Sequence, residues 1–480
     1  MHFIKKYFIT GLLFFFSFCV QSQVFDMVVD KNGTGNYTSV GEAIDAVPDN
    51  SSERTLIFIK NGEYYEKVIV PSSKINVSLV GESVEGVIIS YDDNPSKVPA
   101  ADTYTFYAGA DDLYAENVTF QNTSGNVGQA LAIRTTGDRM VFKNCRMLGF
   151  QDTYYAHKRR QYNLKCYVEG ATDFIYGDAT TVFDSCTINC LNGGSYITAP
   201  ADTKLITNFS TGPFLHGLLF RYSNITADEN VAANSYYLGR PWQPNASSVF
   251  LNCTLGNHIK PEGWSTWGGN NHESSYFAEY KSKNPDGTLV DTTARVEWSY
   301  QVSEFAANNF YKLSFFLRKD FVEWDPLPVT RELPKPQNIH VQGEAVSWDP
   351  VENAIGYVIS KNSSVIGFSM QNSFSGPSVS GGEGEITVKS VTANGALSMG
   401  VSSIVVSGPV IREETEIGMV IANGKISFSE KVSFGIYSLA GNLIYQGNGS
   451  EVNVSGFIKG MYIVKIINNI GIKKTQIIVI

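Results

Sequence analysis

Two amides and two carboxylates recur along this chain at nearly equal steps. Gln129 and Gln151 are 22 residues apart, and Asp152 and Asp173 are 21 apart. Two aspartates about 5 Å apart cannot both ionise cheaply, so one is held as an acid while the other, beside a cation, stays available as a nucleophile. Arg240, in Leu238-Gly239-Arg240-Pro241-Trp242, is the candidate cation, because a guanidinium grips a carboxylate through two parallel hydrogen bonds. The amide N–H groups of the glutamines suit a tetrahedral oxyanion, for which one well-placed donor is worth roughly 3 kcal/mol. A single Asp or Gln in such contexts is ordinarily a turn or surface residue. The repeated step lifts this set above that reading.

That step also says what must position the residues. If each coil of a parallel β-helix takes a little over 20 residues, positions one coil apart sit on adjacent strands, about 4.8 Å from each other. Brief β-rich runs begin at Leu56-Ile57-Phe58-Ile59 and continue through Val68-Ile69-Val70, Val77 to Val80 and Val87 to Ile89. A loose repeat follows: Asn117-Val118-Thr119-Phe120, Asn144-Cys145-Arg146-Met147, Lys165-Cys166-Tyr167-Val168, Ser185-Cys186-Thr187-Ile188, Asn224-Ile225-Thr226 and Asn252-Cys253-Thr254-Leu255. Asn at the strand entrance fits a turn that needs left-handed backbone. Thr38 to Val47 has the spacing of a short helix that would cap an open end. The expectation is an all-β chain, with a right-handed parallel β-helix catalytic domain followed by two small β-sandwich-like modules.

The chain has 480 residues, which implies two or three domains. Residues 1–22 read as a secretory signal, with Lys5 and Lys6, an apolar run from Phe8 to Val20, and Ser22 before the cut. No run reaches the roughly 18 apolar residues of a membrane span. Cys19 raises a lipoprotein alternative, which bulky Phe18 disfavours. Five cysteines remain after cleavage, in an export context where disulfides persist. Cys166 and Cys186, one coil apart, are the candidate disulfide; the alternative is small residues stacked in the coil interior. The six histidines form no zinc spacing, so no metal is expected. A net charge of −9 argues against nucleic acid as a partner.

Five stretches, in order, resemble the signature motifs of pectin methylesterases: Gly62-Glu63-Tyr64-Tyr65-Glu66, Gln129-Ala130-Leu131-Ala132-Ile133, Gln151-Asp152-Thr153-Tyr154, Asp173-Phe174-Ile175-Tyr176-Gly177 and Leu238 to Trp242. The resemblance covers about residues 25 to 325. It implies a right-handed parallel β-helix that hydrolyses the C6 methyl esters of galacturonate in pectin without a cofactor. It further implies Asp173 as nucleophile, Asp152 as general acid and then base, Gln129 and Gln151 as oxyanion donors, and Arg240 as the group orienting Asp173. Tyr176 and Trp242 match positions that contact sugar rings, and Trp264 is a further candidate. Tyr154 stands where the family has Leu and Tyr176 where it has Phe, departures that bear on subsite preference. His157 reads as structural support near the cleft, and Tyr64 and Glu66 as ties of an early coil.

The domain expectation is a signal at 1–22, the β-helix at 23–330, a small all-β unit at 337–408, and a last β unit at 417–480. Val329 to Pro336 reads as a linker. The third segment resembles a fibronectin type III module at Trp348-Asp349-Pro350 to Gly356-Tyr357, acting as a spacer or, as the alternative, a carbohydrate-adhesion module. The fourth resembles the C-terminal sorting domain that Bacteroidetes-type bacteria use with the type IX secretion machinery. The implied protein is secreted or held on the outer cell surface, and a monomer is expected. Two rivals stand beside the esterase. Carboxylates near 5 Å also suit a retaining glycoside hydrolase, although glycosidic cleavage has no acyl oxyanion for the glutamines to hold. The other is a non-catalytic pectin-binding protein.

Overall fold

The computed structural model describes residues 23–203, 206–209, 212–319, 322–405, 419–422, 425–438, 442–468 and 473–479. The expected signal at 1–22 lies outside them. The chain divides into two compact units, residues 1–406 and 407–480.

In the first unit each turn of the chain adds one short strand to each of three parallel sheets, which have eleven, eight and seven strands among the described residues. Met140–Lys143, Arg146–Leu148 and Tyr154–Ala156 form one coil; Arg160–Leu164, Tyr167–Gly170 and Thr172–Gly177 form the next. Their parallel registers set Met140 beside Gln161, Arg146 beside Tyr167 and Tyr154 beside Ile175. This is the parallel β-helix expected from the repeat. Inside it Phe183, Phe220 and Phe250 stack rung upon rung at 4.7 and 4.4 Å, with planes within 9° of parallel. One end is covered by the helix Val40–Ala46, which buries Val40, Ala43 and Ile44. Its first turn is held by Glu66, whose carboxylate accepts from the amides of Val40 and Gly41 at 2.7 and 3.0 Å. Glu66 therefore ties an early coil, as its motif suggested.

From residue 117 on, the turn between the first two strands of a coil carries a left-handed residue: Asn117, Asn144, Lys165, Ser185, Tyr222 and Asn252. The residue after each points inward, so Val118, Cys145, Cys166, Cys186, Ser223 and Cys253 form one interior column. The fifth repeat thus begins at Tyr222, two residues before the Asn224 suggested by the pattern. A slip of two keeps every side chain on its face, so alternation alone does not expose it.

The expected Cys166–Cys186 disulfide is absent: all five cysteines among the described residues are free and buried. Side chains on neighbouring parallel rungs point the same way at strand spacing, wider than the roughly 3.8 Å between β carbons that a disulfide needs. Each thiol instead donates to a backbone carbonyl, Cys166 to Phe142 at 3.3 Å and Cys186 to Asn163 at 3.4 Å.

Outside the eleven-stranded sheet, Tyr114, Val141, Tyr162, Leu219 and Val249 pack under the short helices Glu304–Asn309 and Leu313–Phe316. The segment expected as a linker lies on the same wall, where Glu332 pairs with buried Lys143 at 3.0 Å. Residues 340–405 form two antiparallel sheets around Val346, Trp348, Tyr357, Ile359 and Val388. This module rests against the early coils, with Phe368 among Phe25 and Phe58 at 5.2 and 5.0 Å. In the second unit an antiparallel sheet buries Ile426, Phe434, Ile436, Val464 and Ile466.

Candidate active site

The seven-stranded sheet and the turns entering it bring the predicted set together. Gln129, Gln151 and Thr172 bridge on successive rungs, so Asp152 and Asp173, each one residue later, are stacked neighbours. Both aspartates have left-handed backbone, at φ 63° and 49°, a conformation that Asp tolerates better than most residues. At Asp173 the ladder also shifts. Thr172 pairs with Tyr196 and Ile175 with Thr198, so two residues face one. Such a bulge re-aims a side chain, and here it falls on a carboxylate that is 5% exposed.

Arg240 reaches Asp173 from the last strand of the sheet. Its Nε donates to Oδ1 at 3.0 Å and its Nη2 to Oδ2 at 2.6 Å, a bidentate pair. The guanidinium is held on both faces, 3.8 Å from the ring centre of Tyr196 and 4.0 Å from that of Trp267. Gly239 makes the approach possible, because a β carbon there would collide with Thr198. Gly177, at φ +124°, likewise ends its strand where a β carbon would meet the carbonyl of Ala156.

The two carboxyls differ in partners. Asp152 is pushed up to about 7, first by burial and then by the charge of Asp173, against a hydrogen bond from Gln151 and the more distant Arg240. Burial also raises Asp173, opposed by its two hydrogen bonds to Arg240 and the guanidinium charge. Near neutrality the arrangement can hold a proton on Asp152 beside a guanidinium-bound Asp173 carboxylate. Among the described residues, no group of three or more His, Cys, Asp or Glu gathers as metal ligands would.

All five polar residues line one groove of about 400 Å³, together with Tyr155, Tyr176, Trp242 and Trp267. Tyr155 stacks on Tyr176 at 4.4 Å with planes 5° apart, and Trp242 meets Tyr176 edge-on at 5.7 Å. His157 extends the stack at 4.7 Å from Tyr155, held by Asp178 at 2.6 Å. Trp264 is not in the groove. It is 1% exposed and wedged between Phe250 and Phe277, so it offers no face to a sugar. Trp267, three residues later, takes the place expected of it. Tyr154 also points inward, packed edge-on against Phe142 and Phe183, so its departure from Leu is a matter of core packing. Its neighbour Tyr155 faces the groove, as strand alternation requires. Tyr155 was open to detection on that ground; Tyr196 and the Ala100–Ala101 rim carry no sequence signal.

The geometry has close relatives among known proteins. The chain is 37% identical over 301 residues to probable pectinesterase/pectinesterase inhibitor 32 of Arabidopsis thaliana, covering 60% of this chain and 55% of that one. It spans about half the length of the first curated relatives it matches. The structure of pectin methylesterase from carrot superposes with a TM-score of 0.56 at 30% identity, covering 61% of this chain and 93% of that one. Pectin methylesterase PemA from Erwinia chrysanthemi gives 0.53 at 26% identity, with 64% and 99% covered. Residues 422–480 match the model of a secretion system C-terminal sorting domain. Residues 26–320, more than half of the chain, match the pectinesterase model, and the chain belongs to the pectinesterase family.

Proposed function

We propose that this protein removes methyl groups from the C6 methyl esters of galacturonate in pectin, giving pectate and methanol. The observation that carries the reading is the bidentate Arg240–Asp173 pair beside an Asp152 carboxyl pushed up to about 7, at the mouth of an aromatic groove. Asp173 attacks the ester carbonyl carbon, and the oxyanion that forms is met by the amides of Gln129 and Gln151. The intermediate collapses by breaking the bond to the methoxy oxygen, which takes the proton of Asp152 and leaves as methanol. Asp152, now ionised, draws a proton from water, which attacks the galacturonoyl carbonyl and releases the free acid and Asp173. Trp242 and the exposed edge of Tyr176 contact the sugars. None of these steps calls for a cofactor. The sorting domain at 422–480 supports export by the type IX machinery to the outside or outer surface of a Bacteroidetes-type cell. The module at 337–408 serves as a spacer on a monomeric enzyme.

Methanol release and chain length, followed together on highly methylated pectin with the full chain and a chelator, test the reading. Methanol with unchanged chain length is the expected result. Shortened chains without methanol would make the carboxylate pair a glycosidase and end the roles given to the glutamines.

A further inference from the structure

Asp152 and Asp173 stand at the turn into the third strand of their coils, and the left-handed turn column stands at another corner, between the first strand and the second. Asn117, Asn144 and Asn252 suit that backbone; Tyr222, at φ 51°, does not. A bulky side chain held in left-handed backbone asks for a reason outside the turn. The ring of Tyr222 is no part of the core, being 55% exposed, and Arg221 lies 5.0 Å from its centre on one side. Arg221 gives its Nε to Asp184 at 3.2 Å, and the two terminal nitrogens of its guanidinium remain to donate. From this pair a groove of about 280 Å³ runs past Asn252 to Tyr280, with residues 307–312 as its other wall. Exposed Lys312 lines it, and Lys281 lies 4.9 Å from the ring centre of Tyr280. Against these three cations stand Asp184 and Glu304, the latter 73% exposed and 3.9 Å from Lys281. In a chain of net charge −9 this is a locally cationic, aromatic surface.

Its chemistry fits an anion that also has an apolar face. A guanidinium and an ammonium take carboxylates through charge-assisted hydrogen bonds, and the open side of a tyrosine ring takes the apolar face of a pyranose. A demethylated galacturonate chain offers one carboxylate and one such face per sugar, whereas its methyl ester offers no charge. We propose that this groove is a second, non-catalytic site for free-acid stretches of a polygalacturonate chain, with Arg221 and Lys312 on carboxylates and Tyr222 on a sugar face. Resting on the esterase reading above, the site grips product stretches while the catalytic groove engages esters, and two attachments to one polymer lengthen its stay.

Fluorine NMR of the full chain labelled with 3-fluorotyrosine tests this, in an Asp152→Asn background so that esters persist. The Tyr222 signal is the one lost in Tyr222→Asn. An unmethylated galacturonic acid hexamer is expected to shift that signal saturably, and its fully methyl-esterified counterpart to bind there about tenfold more weakly. Lys312→Gln, an exposed change, is expected to weaken the charged hexamer about threefold at Tyr222 and leave the titration of the Tyr176 signal, in the catalytic groove, nearly unchanged. Tyr222→Asn puts into the turn the residue its backbone favours, so Tm should hold or rise while retention in a polygalacturonate gel falls about fivefold. A Tyr222 signal unmoved by the charged hexamer, moved equally by both hexamers, or indifferent to Lys312→Gln would overturn the proposal, as would full gel retention in Tyr222→Asn. These readouts stand whether or not the wild type releases methanol, so failure of the second site and failure of the esterase reading are distinguishable.

Discussion

Two columns of side chains climb the same coils at nearly the same step, and only one is built for chemistry. In the interior, Cys145, Cys166 and Cys186 repeat at 21 and 20 residues; at the mouth of the groove, Asp152 and Asp173 repeat at 21. The cysteines and Asp173 are buried and Asp152 is half-buried, and both columns place like groups on adjacent rungs. The cysteines see backbone groups, one another's sulfurs and apolar neighbours, and burial pushes the Cys145 and Cys166 thiols well above their usual range. They are inert packing. The aspartates see amides on one side and, at Asp173 alone, a guanidinium clamped between two rings. Recurrence at coil spacing thus says which residues are neighbours; unequal partners split the two carboxyls, as the proposed acid and nucleophile require.

The comparison can be broken from either side. Asp173→Asn keeps the shape of the rung but removes the proposed nucleophile, and methanol release should fall by roughly a thousandfold or more, with an unchanged unfolding curve. Gln151→Ala removes one oxyanion donor and should lower kcat about a hundredfold with little change in KM. Tyr196 touches Arg240 without lining the groove, so it is a positioning residue. Tyr196→Leu should lower kcat about tenfold, Tyr196→Phe should restore it, and KM should hold throughout. The raised carboxyl of Asp152 also leaves a mark on stability. Between pH 4 and pH 7 the folded chain keeps a proton that the unfolded chain releases, so stability falls as pH rises through that window. Asp152→Asn should remove that fall, raising Tm more at pH 8 than at pH 4. On the other column, Cys166→Ala should cost about 1 kcal/mol and leave turnover unchanged, and a reductant should not shift the wild-type Tm.

The solenoid was legible because its signals are local. Short apolar runs, a turn residue before each and a nearly constant step suffice to predict coils. The proposed reacting set was legible for the same reason, since Gln129, Gln151, Asp152 and Asp173 recur at nearly the same step. What escaped depends on which way a residue faces where the step is broken. The bulge at Asp173 and the two-residue slip at Tyr222 are invisible to alternation. Trp264 and Trp267 lie three apart, and only the packing of Phe250 and Phe277 decides which is core. The disulfide failed on a geometric point that spacing does not carry: adjacency on parallel rungs keeps β carbons parallel, whereas a bridge needs them to converge.

The claim that partners separate the two aspartates is tested most directly by following carboxyl carbons by NMR in the full chain with labelled Asp, as pH is raised from 3 to 9. The account predicts one carboxyl titrating near 7 that disappears in Asp152→Asn and moves down in Asp173→Asn, where the neighbouring charge is gone. If every aspartate carboxyl titrated below about 5, the pair would not be split, and the division of labour between Asp152 and Asp173 would be wrong.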